Sequence, residues 1–558
     1  MFRRSLIVVA ILAIAAVNGV AQRHGGGGGH GGGGGGGGGG TSTALTTFTT
    51  ADFTGSGNCA FCHSGRVDST GQDVSMDRQW RSSMMANAAQ DPLWQAKISS
   101  EVVRNPALRA IIEDKCSRCH TPMARVQAIQ QGNPVVVLDN GFLSTAHPLH
   151  AAAMDGVSCS LCHQISATGL GTPDSFTGNY VIDTTTTSPY RWIYGSFAQP
   201  VQNPMQMHVG YTPVHRTHVN SSAYCGSCHT LYTPIVDAQG QVLGEFPEQT
   251  PYLEWEHSDF SAGDTVHCQD CHMPEGPGAV ALANRPNRLS PRSAVGQHTL
   301  VGGNRFLLGI LKAHAAELGV TADAAHLDTT ADLTAGQLTQ QTAELSIVSQ
   351  SVENNVLATA LRVSNLAGHK FPTGVPVRRA WLHVRVTDSQ NRVIFESGAP
   401  WSDGRIVGND ADNDAMQFEP HYDVITAADQ VQIYEAIMRD SADQVTYTFL
   451  SARDYVKDNR LLPEGFDKLT ADADIAVYGA ASTDANFTGG QDTVTYRIDL
   501  SQAQRPVQFT ARLLYQAVGR RFMEDLRRDA TAQVERFANY YDNADKAPTE
   551  IKAITVSY

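Results

Sequence analysis

No cysteine in this 558-residue chain stands alone. All ten fall within one pattern that recurs five times: Cys59-Ala-Phe-Cys62-His63, Cys116-Ser-Arg-Cys119-His120, Cys159-Ser-Leu-Cys162-His163, Cys225-Gly-Ser-Cys228-His229 and Cys268-Gln-Asp-Cys271-His272. A disulfide framework does not need that spacing, and a zinc ribbon or dithiol centre does not need a histidine after every pair. Also lacking is a basic stripe with interleaved aromatics, and the formal net charge is −14. Nucleic acid is thereby excluded as a partner class. After the apolar run Leu6 to Val17 no second long hydrophobic segment follows, so the mature chain has no expected membrane span.

What is present in place of loose thiols is Cys-x-x-Cys-His, the attachment site of a c-type haem. Two thiols three positions apart can reach the two vinyl groups of one porphyrin, and the next imidazole can meet its iron. The cofactor expected is therefore haem c, five copies, covalently attached. A proximal histidine (His63, His120, His163, His229, His272) is fixed for each without a preformed pocket.

Arg3 and Arg4, the apolar run and then Gly19-Val20-Ala21 have the layout of a signal peptide over 1–21, which implies export to the periplasm or the cell surface. Gly25 to Gly40, broken only by His30, and the Thr-rich stretch beyond it read as a flexible linker over 22–54, the glycine run spanning ~20 Å. The acidic balance fits a basic redox partner protein, with donor and acceptor open.

The expected fold class is α+β. Over 55–320 the motifs are separated by segments too short for five independent domains and too long for bare loops, so haem forms much of the core of a mainly helical cytochrome domain. Helical spacing is clear in Pro92–Val103 and Asn304–Leu318, whereas Thr172–Pro213 reads as a long loop. After about Gln340 the period becomes two: Leu357, Thr359, Leu361 and Val363, then Leu382, Val384 and Val386 with a hairpin to Val393–Phe395, then Val494–Leu500 and Val507–Leu513. These strands predict a β-sandwich over 340–518, followed by a C-terminal helix over 519–545.

Each iron has a second axial position, and histidines outside the motifs are numerous enough to fill all five. His147 and His150 precede the third motif, and His208, His215 and His218 the fourth. His150 and His218 are the candidates taken from those groups. His298 lies just before a helix, and His369 on the irregular loop Gly368-His-Lys-Phe-Pro-Thr-Gly374. Met84 and Met85 are thioether candidates near the first motif. His314 and His383 read as structural.

The chain resembles bacterial multihaem c-type cytochromes of the group that includes tetrahaem cytochromes, pentahaem nitrite reductases and octahaem hydroxylamine oxidoreductases. The phrases that carry the resemblance are Gly156-Val-Ser-Cys-Ser-Leu-Cys-His-Gln, Tyr224-Cys-Gly-Ser-Cys-His-Thr, Glu254-Trp-Glu-His-Ser, Cys268-Gln-Asp-Cys-His-Met-Pro, the Gly-His-Lys-Phe-Pro-Thr-Gly loop, Val431-Gln-Ile-Tyr-Glu and Lys457-Asp-Asn-Arg-Leu-Leu-Pro. The resemblance implies a C-terminal sandwich, with His298 and His369 as distal ligands. Where relatives have Trp-x-x-Ser-x-His-Ala, this chain has Trp80-Arg-Ser-Ser-Met-Met85-Ala, which implies a His/Met haem through Met85. No Cys-x-x-Cys-Lys is present, a departure from nitrite reductases.

The function expected is electron transfer through the five haems. One alternative is a reductase or oxidase of a small inorganic nitrogen or sulfur species at an open haem site, with His257 or Tyr252 as acid–base groups. Another is a subunit of an extracellular conductive assembly. Asn409, Asp410, Asp412, Asn413 and Asp414 cluster oxygen ligands, and a solvated acidic turn is weighed against a Ca²⁺ site there.

Overall fold

The computed structural model describes residues 43–263 and 265–558. The expected signal peptide, the glycine run and the first part of the expected linker lie outside the described residues. The chain is α+β, with most helices before Gln341 and most strands after it.

Four motifs sit on or within a helical turn: the helices Ser56–His63, Arg109–His120, Cys159–Cys162 and Cys268–His272. The helix Ser222–Gly226 carries the first cysteine of the remaining one. On a helix, residues i and i+3 share a face, so each pair of thiols projects together. The expected helix over 92–103 is present as Pro92–Arg104, started by Pro92 and by the Asp91 carboxylate, which accepts from Leu93 N–H and Trp94 N–H. The piece 304–318 forms Arg305–Ala313 and Ala315–Leu318.

The expected loop 172–213 is irregular as far as Tyr190 and holds regular structure beyond it. Strand Arg191–Gly195 pairs in parallel with Tyr211–His215, and the helix Gln202–His208 lies between them in sequence. The ribbon is anchored where periodicity cannot show it, by the buried Arg191 guanidinium 2.7 Å from the Asp52 carboxylate. That contact also corrects the linker boundary. Residues 45–54 are packed, with Leu45 and Phe53 buried and Thr49 bridged to Thr54.

After Gln341 two sheets face each other. One is ordered Val424–Ile425, Gln491–Asp499, Val356–Asn365, Ala343–Glu353. The other is seven-stranded, with Arg379–Thr387 flanked by Ile433–Asp440 and Gln508–Gln516. Alternate residues of each sheet fill one core: Leu357, Leu361 and Val363, then Leu382, Val384 and Val386, then Val494, Tyr496 and Ile498. The tail differs from the single helix expected over 519–545. It forms Arg520–Leu526 and Ala532–Asn543, the second begun by Thr531 Oγ1 accepting from Val534 N–H, and then a last strand, Thr549–Ser557, paired antiparallel to Gln508–Gln516.

The motif-bearing part and the sheets are not separated by a boundary near 320–340. Ala96, Phe246 and Leu311 share a core with Met438, Phe522 and Phe537. Arg104 pairs with Asp525 at 2.8 Å and Asp529 at 2.7 Å.

Candidate haem-attachment site

A cavity of about 1020 Å³ runs past four of the five motifs, those ending at His63, His163, His229 and His272. The second motif does not border it, but lies near the fourth: Arg118 donates to Thr177 O, and the next residue, Gly178, donates its N–H to Ser227 O at 2.7 Å. Thiol contacts also join motifs distant in sequence, Cys59 with Cys159 and Cys225 with Cys268. All ten thiols are free. Burial holds the Cys162 thiol up at about 12, whereas the hydrogen bond with Cys225 holds Cys268 down at about 7.

Four of the motif histidines face a backbone carbonyl through Nδ1. His63 meets Leu282 O at 2.8 Å, His120 meets Ala88 O at 2.9 Å, His163 meets Tyr194 O at 2.6 Å and His272 meets Val301 O at 2.5 Å. A carbonyl can only accept, so Nδ1 carries the proton and the Nε2 lone pair is left free, as a metal ligand requires. Burial depresses all five rings, His120 and His272 to about 4, which keeps them neutral. By surface area the rings are less than fully buried; four of them border the cavity, while the surrounding protein still desolvates them.

Opposite two of these rings stands a second imidazole. The ring centres of His163 and His298 are 6.3 Å apart with planes 31° from parallel, and those of His272 and His369 are 6.3 Å apart at 11°. A ligating nitrogen lies about 2 Å from its metal and the ring centre about 1.1 Å further, so two imidazoles trans on one metal place their centres about 6.2 Å apart. The donor set and spacing therefore fit an iron between each pair. His298 is positioned by its N–H donating to Gln79 Oε1 at 2.8 Å, and burial holds it at about 4. His369 meets Lys370 O through Nδ1 at 2.9 Å, and its own carbonyl accepts from Asn365 Nδ2 at 2.8 Å.

The loop bearing His369 is fixed by a buried charged network. Lys370 Nζ lies 2.7 Å from Asp458, and Arg460 bridges Asp458 at 2.7 Å and Glu254 at 2.9 Å. Glu254 also accepts from the Thr373 hydroxyl at 2.6 Å. The sequence phrases around Glu254 and Lys457 mark these residues, but only the fold shows that they meet.

The other candidates are placed differently. Met85 borders the cavity beside Met84. His150 meets Phe142 O through Nδ1 at 3.0 Å and does not border the cavity. His218, read as a ligand, has Nε2 at 2.8 Å from Ile165 O and its ring edge-on to Tyr194 at 5.0 Å. His257 is exposed, with Nδ1 on Leu253 O, while Tyr252 borders the cavity and donates to Glu256 at 2.7 Å. Asp412 pairs with Arg379 at 3.1 Å and accepts from Ile406 N–H, so the acidic turn is structural at that residue. His383 pairs with Glu396 at 3.0 Å, and His314 stacks on Tyr540.

Sequence reasoning missed the carbonyls of Ala88, Tyr194, Leu282 and Val301, which carry no residue-type signal. It also missed a buried cluster of His421, Asp484 and Asp492, whose ligand atoms lie within 4.8 Å of one another. There Gln432 Nε2 and Asn459 Nδ2 both donate to His421 Nδ1, at 2.8 and 3.1 Å, so Nε2 carries the proton and points at Asp484. That arrangement leaves the His421 ring itself no lone pair for a metal, while Asp492 Oδ1 is buried without a partner.

No protein-family model matches the chain, and no curated protein matches it. Among solved structures it is similar to the crystal structure of a penta-heme cytochrome c552 from Thermochromatium tepidum. The two share 14% sequence identity over 87% of this chain and 96% of that one, with a TM-score of 0.47.

Proposed function

We propose that the chain is an exported c-type cytochrome that moves electrons through five covalently attached haems. The observation that carries this reading is the pair of histidine pairs, His163 with His298 and His272 with His369, each at the spacing of two imidazoles on one iron. The carbonyl bonds that leave Nε2 free on four attachment histidines support it independently. Thiol contacts between motifs one and three, two and four, and four and five support close neighbours along a conducting path. When bound, the haems supply the ferric–ferrous chemistry. The protein's part would be to hold each motif imidazole neutral and aimed, with His298 and His369 supplying a second imidazole opposite two of them.

The test is the exported protein made with haem-maturation machinery. Intact mass and pyridine haemochrome should give five haems, and low-temperature EPR of the oxidised protein should show low-spin signals that include two bis-histidine haems. A chain without attached haem would end this reading.

A second reading, catalysis on a small inorganic nitrogen or sulfur species, is favoured by one observation. His229 makes no carbonyl bond among the described residues, and its charged neighbour is Arg378. A high-spin EPR signal that shifts on adding nitrite or hydroxylamine would support it over the carrier.

A further inference from the structure

We propose that the ribbon of strands Arg191–Gly195 and Tyr211–His215, with the helix Gln202–His208 beside it, is a docking surface for an acidic redox protein that exchanges electrons through Trp192. This rests on haem attachment at the third motif.

The surface is apolar and exposed. Trp192 is 50% exposed, Tyr190 68% and Met207 88%. Thr212 stands across from Trp192 in the parallel register and accepts from the Gln206 amide at 2.8 Å, so the helix lies on the same face as Trp192. Exposed aromatic and methionine side chains gathered on one face mark an interaction site, and both types are enriched at interfaces.

Its segment lacks acidic side chains, and its one exposed cation is Arg216. Between Thr184 and Val236 there is no Asp or Glu, in a protein of net charge −14. The preceding acid, Asp183, accepts hydrogen bonds from Thr185 and Thr186. Arg216 is exposed, with its guanidinium 5.5 Å from the Trp192 ring and its Nη1 donating to His215 O at 2.9 Å. The basic partner expected from net charge is therefore replaced, for this face, by an acidic one.

The same ribbon reaches the site. Ile193 and Tyr194 border the cavity, and Tyr194 O accepts from His163 Nδ1 at 2.6 Å. Trp192 is two residues from that carbonyl, and its ring centre is 6.4 Å from that of Tyr194. With haem attached at the third motif, one electron would leave the partner's reduced flavin or iron–sulfur centre, which would be oxidised, and would reduce the group held by His163 from ferric to ferrous. No proton or leaving group is involved.

Neither Trp192 nor Arg216 borders the cavity, so substituting them spares the attachment residues. The experiment uses the haem-loaded protein, with haem content measured first. A flavodoxin serves as acidic probe and a small basic cytochrome c as counter-probe. Titration calorimetry gives binding, and stopped-flow mixing with the reduced probe gives the rate of electron transfer, each at low and high salt. The expected result is flavodoxin binding that weakens with salt, falls about tenfold in Arg216→Glu and is unaccompanied by any effect of that variant on the basic cytochrome. Trp192→Ala should slow electron transfer. Tighter binding of the basic cytochrome, or flavodoxin binding indifferent to Arg216→Glu, would overturn the proposal. So would a salt-sensitive dimer, seen by sedimentation and lost in Arg216→Glu, which would make a second copy the occupant. Missing haem would appear in the first assay and would sink the functional reading itself.

Discussion

The backbone N–H of Lys370 donates to Oε2 of Glu254 at 3.1 Å, joining the loop after one sheet strand to the helix Pro251–Glu256 ahead of the fifth motif. Glu254, Lys370, Asp458 and Arg460 are all buried, and removing one member of such a cluster leaves an uncompensated charge at a cost of about 3–5 kcal/mol. Glu254→Gln should lower the unfolding free energy by that order in denaturant titration. It should also loosen His369, so that EPR shows one low-spin haem turning high-spin. An unchanged spectrum in a destabilised variant would mean that Glu254 does not position a ligand.

Replacing a distal imidazole by a thioether raises the reduction potential of its haem. His298→Met and His369→Met should each move one component of a potentiometric titration upward and leave the remainder in place. Because the two histidines face different attachment rings, the components that move should differ. The same component moving in both variants would refute the pairing.

The His421 cluster makes a pH prediction in the sheets. Burial holds His421 at about 4, below the ordinary 6.5, so between those values the unfolded chain binds a proton that the folded chain does not, and stability falls as pH falls. Burial raises Asp492 to about 7 from 3.8, so the folded chain keeps a proton that the unfolded chain loses, and stability falls as pH rises. From about pH 4 to 6.5 these slopes, ~1.4 kcal/mol per pH unit each, offset. Asp492→Asn removes one of them. The stability of the variant relative to wild type should therefore climb with pH across that window, and parallel curves would count against the assignment.

Phe53 is 1% exposed in the core with Trp94, Ile98 and Phe142. Phe53→Ala should cost about 3–5 kcal/mol in chemical denaturation, and a change under 1 kcal/mol would return residues 45–54 to the status of a linker.

The five Cys-x-x-Cys-His motifs could be nominated from sequence because the chemistry proposed for them fixes residue type and spacing within five positions. The strands at 357–363 and 382–386 were legible because a half-buried strand alternates. His298 and His369 could be nominated from their phrases, but not assigned to a ring, since His163 and His298 are brought together by folding alone. The ribbon at 191–215 was missed because its fixed point is a buried ion pair to Asp52. The strand Thr549–Ser557 was missed although its burial alternates in part, because its pairing with 508–516 crosses two helices.

The thiol contacts also constrain the order of manufacture. Cys59 meets Cys159, Cys119 meets Cys228 and Cys225 meets Cys268 once the chain is compact. In an oxidising compartment, a chain that compacted with bare thiols would crosslink motifs to one another, and each such bond would remove a cysteine from two attachment sites at once. For a chain that carries haem at these motifs, thioether formation would have to precede compaction. Compact folding and cofactor attachment would then compete for the same sulfur atoms.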